Sequence, residues 1–153
     1  MEGIIIRPAT SLDLETLYKF EQGIIEAERP FDATLKEGHI HYYDLRQMID
    51  AAETHLVVAE VAKEIVSCGY ARIEASKPYL QHDKHAYLGF MYVSPLHRGK
   101  GINGLIIEAL KAWARSKNIH ELRLEVYVEN HSAIRAYQKL GFSKHMIEMR
   151  LPV

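Results

Sequence analysis

"MYVSPLHRGKGINGLIIEAL", residues 91–110, decides how the rest of the chain is read. It opens as an apolar strand, breaks at Ser94 and Pro95, and turns helical from Ile102. Gly99, Gly101 and Gly104 lie at the break, with Arg98 and Lys100 among them. Glycine costs about 1 kcal/mol relative to alanine inside a helix. Three of them around one helix start therefore point to a backbone that something approaches closely. Amides turned inward at a helix N-terminus, with cations beside them, suit a phosphate or pyrophosphate.

Gly99 to Gly104 also spells G-x-G-x-x-G, the fingerprint of a dinucleotide loop. Residues 95–98 separate it from its strand, however, and residues 105–153 are too few for a doubly wound sheet. A Walker loop is excluded, because no Gly-Lys is followed by Ser or Thr.

Working outward, Ile102, Leu105, Ile106, Ala109, Leu110 and Trp113 form an apolar helical stripe, opposite Glu108, Lys111 and Arg115. Asn118 fits its C-terminal cap. "ELRLEVYV", 121–128, alternates like a strand. "NHSAIRAYQKLG", 130–141, reads as a helix opened by Asn130 or Ser132 and closed by Gly141. "HMIEMRL", 145–151, predicts a last strand. Upstream, "GIIIRPAT" predicts an edge strand stopped by Pro8, and Thr10 with Asp13 fits a capping box. A helix over 11–28 and a short one over 42–52 follow. Strands over 55–61 and 64–75 turn near Lys63, and a third covers 86–93. The order β-α-α-β-β-β-α-β-α-β predicts a mixed sheet flanked by helices.

The stretch 91–110 together with "LRLEVYVENHSAIRAYQKLGF" resembles the GCN5-related N-acetyltransferase (GNAT) family. Arg98, Gly99, Lys100 and Gly101 match its Arg/Gln-x-x-Gly-x-Gly/Ala loop. Asn130, Ala133, Tyr137, Gly141 and Phe142 match its Asn-x-x-Ala-x-x-x-Tyr-x-x-x-Gly-Phe motif. The likeness is dense over 86–143, and the upstream element order agrees. Asn103 stands where the family usually has Gly or Ala.

The resemblance implies a single N-acetyltransferase domain over residues 1–153, with an α/β, mostly antiparallel sheet. It implies acetyl-CoA as co-substrate, its pyrophosphate cradled by Arg98, Gly99, Lys100, Gly101, Ile102, Asn103 and Gly104. Its pantetheine arm would run beside the backbone of Met91 and Val93, with Asn130 and Tyr137 close by. Tyr137 matches the family's acid tyrosine, which protonates the departing thiolate; by periodicity alone it is a core aromatic. Some members carry a base glutamate on the strand before the loop, but residues 88–93 hold no acid. Glu125 is the alternative base, twelve residues before Tyr137. It reads equally as an ion-pair partner of Arg123, and a water chain is a third route for the proton. The acceptor, a small molecule or a peptide amine, would meet the first two helices and their loop, where Glu28, Asp32, Tyr42, Tyr43 and Asp44 suit a cation.

Composition is consistent with this reading. Net charge is −1, without the basic excess of a nucleic-acid binder. No apolar run reaches the roughly 20 residues of a membrane span, and "MEGIIIRPAT" does not read as a signal peptide. Cys68, the one cysteine, reads as an inert core thiol. The expected compartment is the cytoplasm. His39 and His41 form His-x-His, but no third ligand is evident, so no metal is expected. A homodimer is an open expectation. A non-catalytic acyl-CoA-binding regulatory module is the alternative to an enzyme.

Overall fold

The computed structural model describes residues 3–153. Strand β1 (Ile4–Pro8) leads through a 3-10 turn into α1 (Leu14–Glu28). A loop and α2 (Leu45–Asp50) come next, then β2 (Thr54–Val61), β3 (Glu64–Ala75) and β4 (Lys84–Val93). Helix α3 (Ile102–Ser116), the two-residue β5 (Leu122–Arg123) and α4 (His131–Lys139) complete the order. The sheet runs β1-β2-β3-β4-β5. Its first three pairings are antiparallel and the β4–β5 pairing is parallel.

Each face of the sheet carries one apolar layer, as the two-residue period of a strand requires. Val57 and Ala59 of β2 face α3, where Ile102, Ile106, Ile107 and Leu110 are buried. Leu56 and Val58, one residue out of step, face α1 and α2 together with Leu17, Phe20, Leu45 and Met48. Burying one such Leu, Ile or Phe is worth about 1.5–3 kcal/mol. Cys68 lies in this second layer, and its thiol donates to the Phe90 carbonyl at 3.3 Å. Burial pushes the thiol well above its usual range, as expected of an inert core group.

The local signals hold at the joints. Ala62 and Lys63 both have positive φ, the requirement of a tight β2–β3 hairpin. Asp13 accepts from the Thr10 amide at 2.8 Å and takes two hydrogen bonds from the Arg7 guanidinium. Asn118 has φ +59° just past α3, in the left-handed cap position.

Two expectations are corrected. The strand over 121–128 pairs with β4 only at Leu122 and Arg123. The strand over 145–151 is absent, and that segment is irregular and exposed. Alternation of apolar residues marks a segment able to pair, but pairing also needs a neighbouring edge. Among the described residues, no helix is long and apolar enough to cross a membrane.

Candidate active site

The parting of β4 from β5 creates the site. The two strands are in register at Ala86–Leu122 and Tyr87–Arg123 and share no further pairs. Beyond Tyr87, β4 therefore has one free edge. The β3–β4 register also shifts between Cys68 and Tyr70, and Phe90 adopts φ +54° there. Such a bulge inserts one residue and re-aims those that follow. The Ser94 amide donates to Val66 on β3, and the Tyr92 carbonyl accepts from Ser67. Alternation then turns the polar backbone groups of Met91 and Val93 away from β3, toward the opening. The Val93 carbonyl already accepts from Arg98 Nε at 2.9 Å. Met91 has no cross-strand partner in the β3–β4 register.

The loop that follows is shaped by glycine. Gly99 and Gly101 have φ +75° and +78°, and Gly101 is the left-handed N-cap of α3. Side chains rarely adopt that conformation. Arg98 folds back over the Tyr92 ring, 5.7 Å from its centre, and so ties the loop to the end of β4.

Helix α4 brings Tyr137 to the same place. A Cβ on Gly104 would lie 3.3 Å from the Leu140 side chain, so the start of α3 meets the end of α4. Tyr137 packs partly into the α3 layer and meets the Phe142 ring edge-to-face at 5.8 Å. Burial pushes its hydroxyl up to about 12, helped by the charge of Glu28 and opposed by the Asn103 amide. Tyr137 is thus protonated at neutral pH. The Asn103 Oδ1 is buried with no hydrogen-bond partner. Asn130 caps α4, accepting from the Ala133 amide at 3.3 Å.

On the α1–α2 side lies a groove of acids and phenols. Glu28 ends α1, and burial raises its carboxyl above the usual range. The Asp32 carboxylate is held low by the Thr34 hydroxyl and amide, and by the Tyr127 hydroxyl, which donates at 3.0 Å. The Tyr42 hydroxyl is buried with no partner at full hydrogen-bond geometry, yet it lies close enough to stabilise the Glu28 carboxylate. Tyr43 lies tilted 4.8 Å from Phe90 and meets Tyr70 edge-on at 5.8 Å. Tyr70 lies 6.5 Å from Tyr87, whose hydroxyl donates to Glu125 at 2.9 Å. Glu28 and Glu125 therefore stand toward opposite ends of one aromatic strip. Asp44, by contrast, caps α2 through the Gln47 amide.

Within residues 88–93, which hold no acid, Gly89 has no room for one. A Cβ on Gly89 would fall 2.5 Å from the Tyr70 hydroxyl oxygen and 2.6 Å from its ring. No glutamate fits while Tyr70 fills that space.

Periodicity missed two contributors. Glu21, within α1, is fully buried. One of its oxygens accepts from the Tyr42 and Tyr43 amides, both at 2.9 Å, and the other meets His41 Nδ1 at 2.8 Å. Glu21 thereby fixes the loop that presents both tyrosines. Tyr127 was legible only as a polar-face residue of a strand. Among the described residues, no three His, Cys, Asp or Glu gather to hold a metal.

The chain is similar to known proteins in sequence and in fold. The sequence model of the Acetyltransferase (GNAT) family matches residues 15–142. An aminoglycoside N(6')-acetyltransferase type 1 of Stenotrophomonas maltophilia is 26% identical over 115 residues, spanning 72% of this chain and 74% of that enzyme. An N-alpha-acetyltransferase of Sulfurisphaera tokodaii is 32% identical over 108 residues, covering 67% of this chain and 65% of that protein. A streptothricin acetyltransferase of Escherichia coli is 38% identical over 64 residues, 42% of this chain and 37% of that one. In structure, a tetramutant of the BH1408 protein of Bacillus halodurans superimposes with a TM-score of 0.87 at 23% identity, covering 97% of this chain and 99% of that one. A predicted acetyltransferase of Clostridium acetobutylicum, solved with acetyl-CoA, gives 0.75 at 19% identity, covering 97% and 96%. The glycine loop on a parted strand edge, the tyrosine of α4 and the family match over most of the chain lead to one conclusion: this chain belongs to the GNAT acetyltransferase family and is an acyltransferase.

Proposed function

We propose that residues 1–153 form one acetyl-CoA-dependent N-acetyltransferase domain whose acceptor is a primary amine on a small cationic molecule. The observation that carries this reading is the meeting of Glu28 and Asp32 with the hydroxyls of Tyr42 and Tyr127 near Tyr137. Two neighbouring carboxylates attract an ammonium group by charge. Relatives named for aminoglycosides and for streptothricin support a small acceptor.

In this reading the 98–104 loop holds the pyrophosphate of the co-substrate on its amides. The pantetheine arm lies along the free edge at Met91. The amine must lose a proton before it attacks, because a group of pKa about 10.4 is almost wholly charged at pH 7. Glu125 accepts that proton by way of the Tyr87 hydroxyl. The neutral amine attacks the thioester carbon, the tetrahedral adduct collapses, and the C–S bond breaks. Tyr137 donates a hydrogen bond and then its proton to the leaving sulfur, and the nitrogen of the adduct gives up its second proton, which returns to the Tyr137 oxygen and leaves a neutral amide and a free thiol.

Release of free thiol from acetyl-CoA, measured against a panel of amines, tests the proposal. Diamines and amino sugars should turn over faster than neutral amines. Preference for a peptide N-terminus would replace the small acceptor with a polypeptide, and absence of turnover across both arms would overturn the proposal.

A further inference from the structure

On the loop between α1 and α2, the Nε2 atoms of His39 and His41 face each other at 3.2 Å, with the two rings at 83°. Both residues are exposed, but the backbone that carries them is stapled to α1. Arg29, the C-cap of α1, donates to the Lys36 and Gly38 carbonyls at 2.9 and 2.6 Å. Gln22 donates at 2.9 Å to the Ile40 carbonyl, between the two histidines. Glu21 takes the Tyr42 and Tyr43 amides on one oxygen and His41 Nδ1 on the other. The pair is therefore held together by the fold and not only by its own contact.

Glu21 also sets the chemistry of His41. A buried carboxylate that already receives two amide hydrogen bonds acts as an acceptor, so the ring proton of His41 sits on Nδ1 and points at Glu21. Nε2 keeps its lone pair, aimed at His39. A carboxylate behind the far nitrogen of an imidazole is the support that metal-binding histidines commonly have, because it fixes the ring and raises its basicity. His39 lies in solvent, so its own proton is free to move to Nδ1 and leave a second lone pair on Nε2.

We propose that His39 and His41 form a binding site for one late first-row divalent cation, held by the two Nε2 atoms and completed by water. Two nitrogens bound at about 2.0–2.1 Å, at angles from about 90° to tetrahedral, stand about 2.8–3.4 Å apart. The observed 3.2 Å lies within that range. Imidazole nitrogen suits zinc, nickel and copper, whereas magnesium and calcium prefer oxygen. The sequence offered a bare His-x-His, which predicts no metal, and two side chains remain the whole of the protein's share. What the sequence could not show is that they converge on one point, with a buried carboxylate behind one of them. Convergence before binding removes an ordering cost and offsets the small number of ligands. The ion would close a ring across residues 39–41, directly before Tyr42 and Tyr43, so it would brace one wall of the groove without meeting the reacting atoms.

Calorimetric titration of the untagged, metal-free chain with Zn²⁺ and with Ni²⁺ near neutral pH tests the site. One ion per chain is expected, and Mg²⁺ should not bind. His39→Ala changes only an exposed side chain and should weaken Zn²⁺ and Ni²⁺ binding by roughly 10²-fold, because one imidazole lacks the gain of two linked ligands. With Cu²⁺ as the probe, electron paramagnetic resonance should show coupling to two imidazole nitrogens in the native chain and fewer in the variant. Equal affinity in the native chain and in His39→Ala would overturn the proposal, and the 3.2 Å contact would then be a hydrogen bond between two rings and nothing more. So would a Cu²⁺ spectrum of the native chain without coupling to two nitrogens.

Discussion

Tyr127 donates its hydroxyl to Asp32 at 3.0 Å, across 95 residues of chain. The bond joins the turn after α1 to the segment after β5, so it ties together the two walls of the groove of acids and phenols. Phe31 stacks on the Tyr127 ring at 6.0 Å and reinforces the joint.

If that wall recognises a cation, Asp32→Asn and Glu28→Gln should each raise KM for diamines by roughly ten- to a hundred-fold, the range of a charged hydrogen bond worth about 1.5–3 kcal/mol. The KM of a neutral amine should move little, and so should that of acetyl-CoA. Initial rates with paired charged and neutral acceptors check this. Equal losses for both acceptors would show that the acids only hold the loop in place.

The glycine loop makes a separate prediction. Gly101→Val puts a branched side chain at φ +78°, strained by about 1–2 kcal/mol, where the pyrophosphate would approach. Coenzyme A affinity should fall more than tenfold, at least 1.4 kcal/mol. Gly3→Val is the control, because Gly3 has φ +79° with nothing near its Cβ and lies at the opposite edge of the sheet. It should match the loss in unfolding midpoint and keep the affinity. Calorimetric titration of both variants decides whether strain alone explains the effect.

What the sequence could reveal follows from the range of each interaction. Helix stripes, the Lys63 turn, the Asn118 cap and the glycine loop depend on neighbours a few residues away, and all were legible. The resemblance to a known family, not periodicity, singled out Tyr137. Glu21 was hidden because its partners, His41 and the Tyr42 and Tyr43 amides, lie about twenty residues on. An acid on an apolar stripe was the only sign of it. The Tyr70 ring over Gly89 was invisible for the same reason. The strands over 121–128 and 145–151 were over-read, since alternation reports a capacity to pair and not the presence of a partner.

The groove phenols predict behaviour in alkali. Burial, before any other cause, raises Tyr42, Tyr43, Tyr70, Tyr87, Tyr127 and Tyr137 above the usual value near 10. Above that pH the unfolded chain releases these protons while the folded chain keeps them. Stability from this source is complete below about pH 10 and is lost as pH climbs toward the folded values. Each fully unbalanced phenol steepens the decline by about 1.4 kcal/mol per pH unit. Urea unfolding at pH 8, 9.5 and 11 should show a falling midpoint, and Tyr87→Phe should flatten the fall. A midpoint unchanged to pH 11 would mean that these hydroxyls ionise freely in the folded protein.

Glu125 and Tyr87 should act as a unit if they carry the amine's proton. Glu125→Gln and Tyr87→Phe are each expected to slow transfer most at low pH, where the amine is most fully charged. The double variant should lose about as much as either single one, because groups acting in series are not additive. A pH–rate profile that keeps its size and shape in both single variants would leave Glu125 as an exposed residue that only accepts the Tyr87 hydrogen bond.

Tyr137→Phe removes one oxygen and keeps the ring. The edge-to-face contact with Phe142 survives, so the unfolding midpoint should hardly move. Tyr137→Ala would also empty part of the α3 layer, at about 3–5 kcal/mol by analogy with Phe→Ala, and would confuse folding with chemistry. If the hydroxyl serves the leaving thiolate, kcat should fall by roughly 10²- to 10⁴-fold, with acetyl-CoA affinity retained, since the contact strengthens only as the C–S bond breaks. A less basic leaving group offers a further check: an acetyl thioester of an aromatic thiol needs no proton from the enzyme, so Tyr137→Phe should recover much of its loss with that donor. Turnover near wild type with acetyl-CoA would show instead that Tyr137 is a packing aromatic whose thiolate neighbour takes its proton from water.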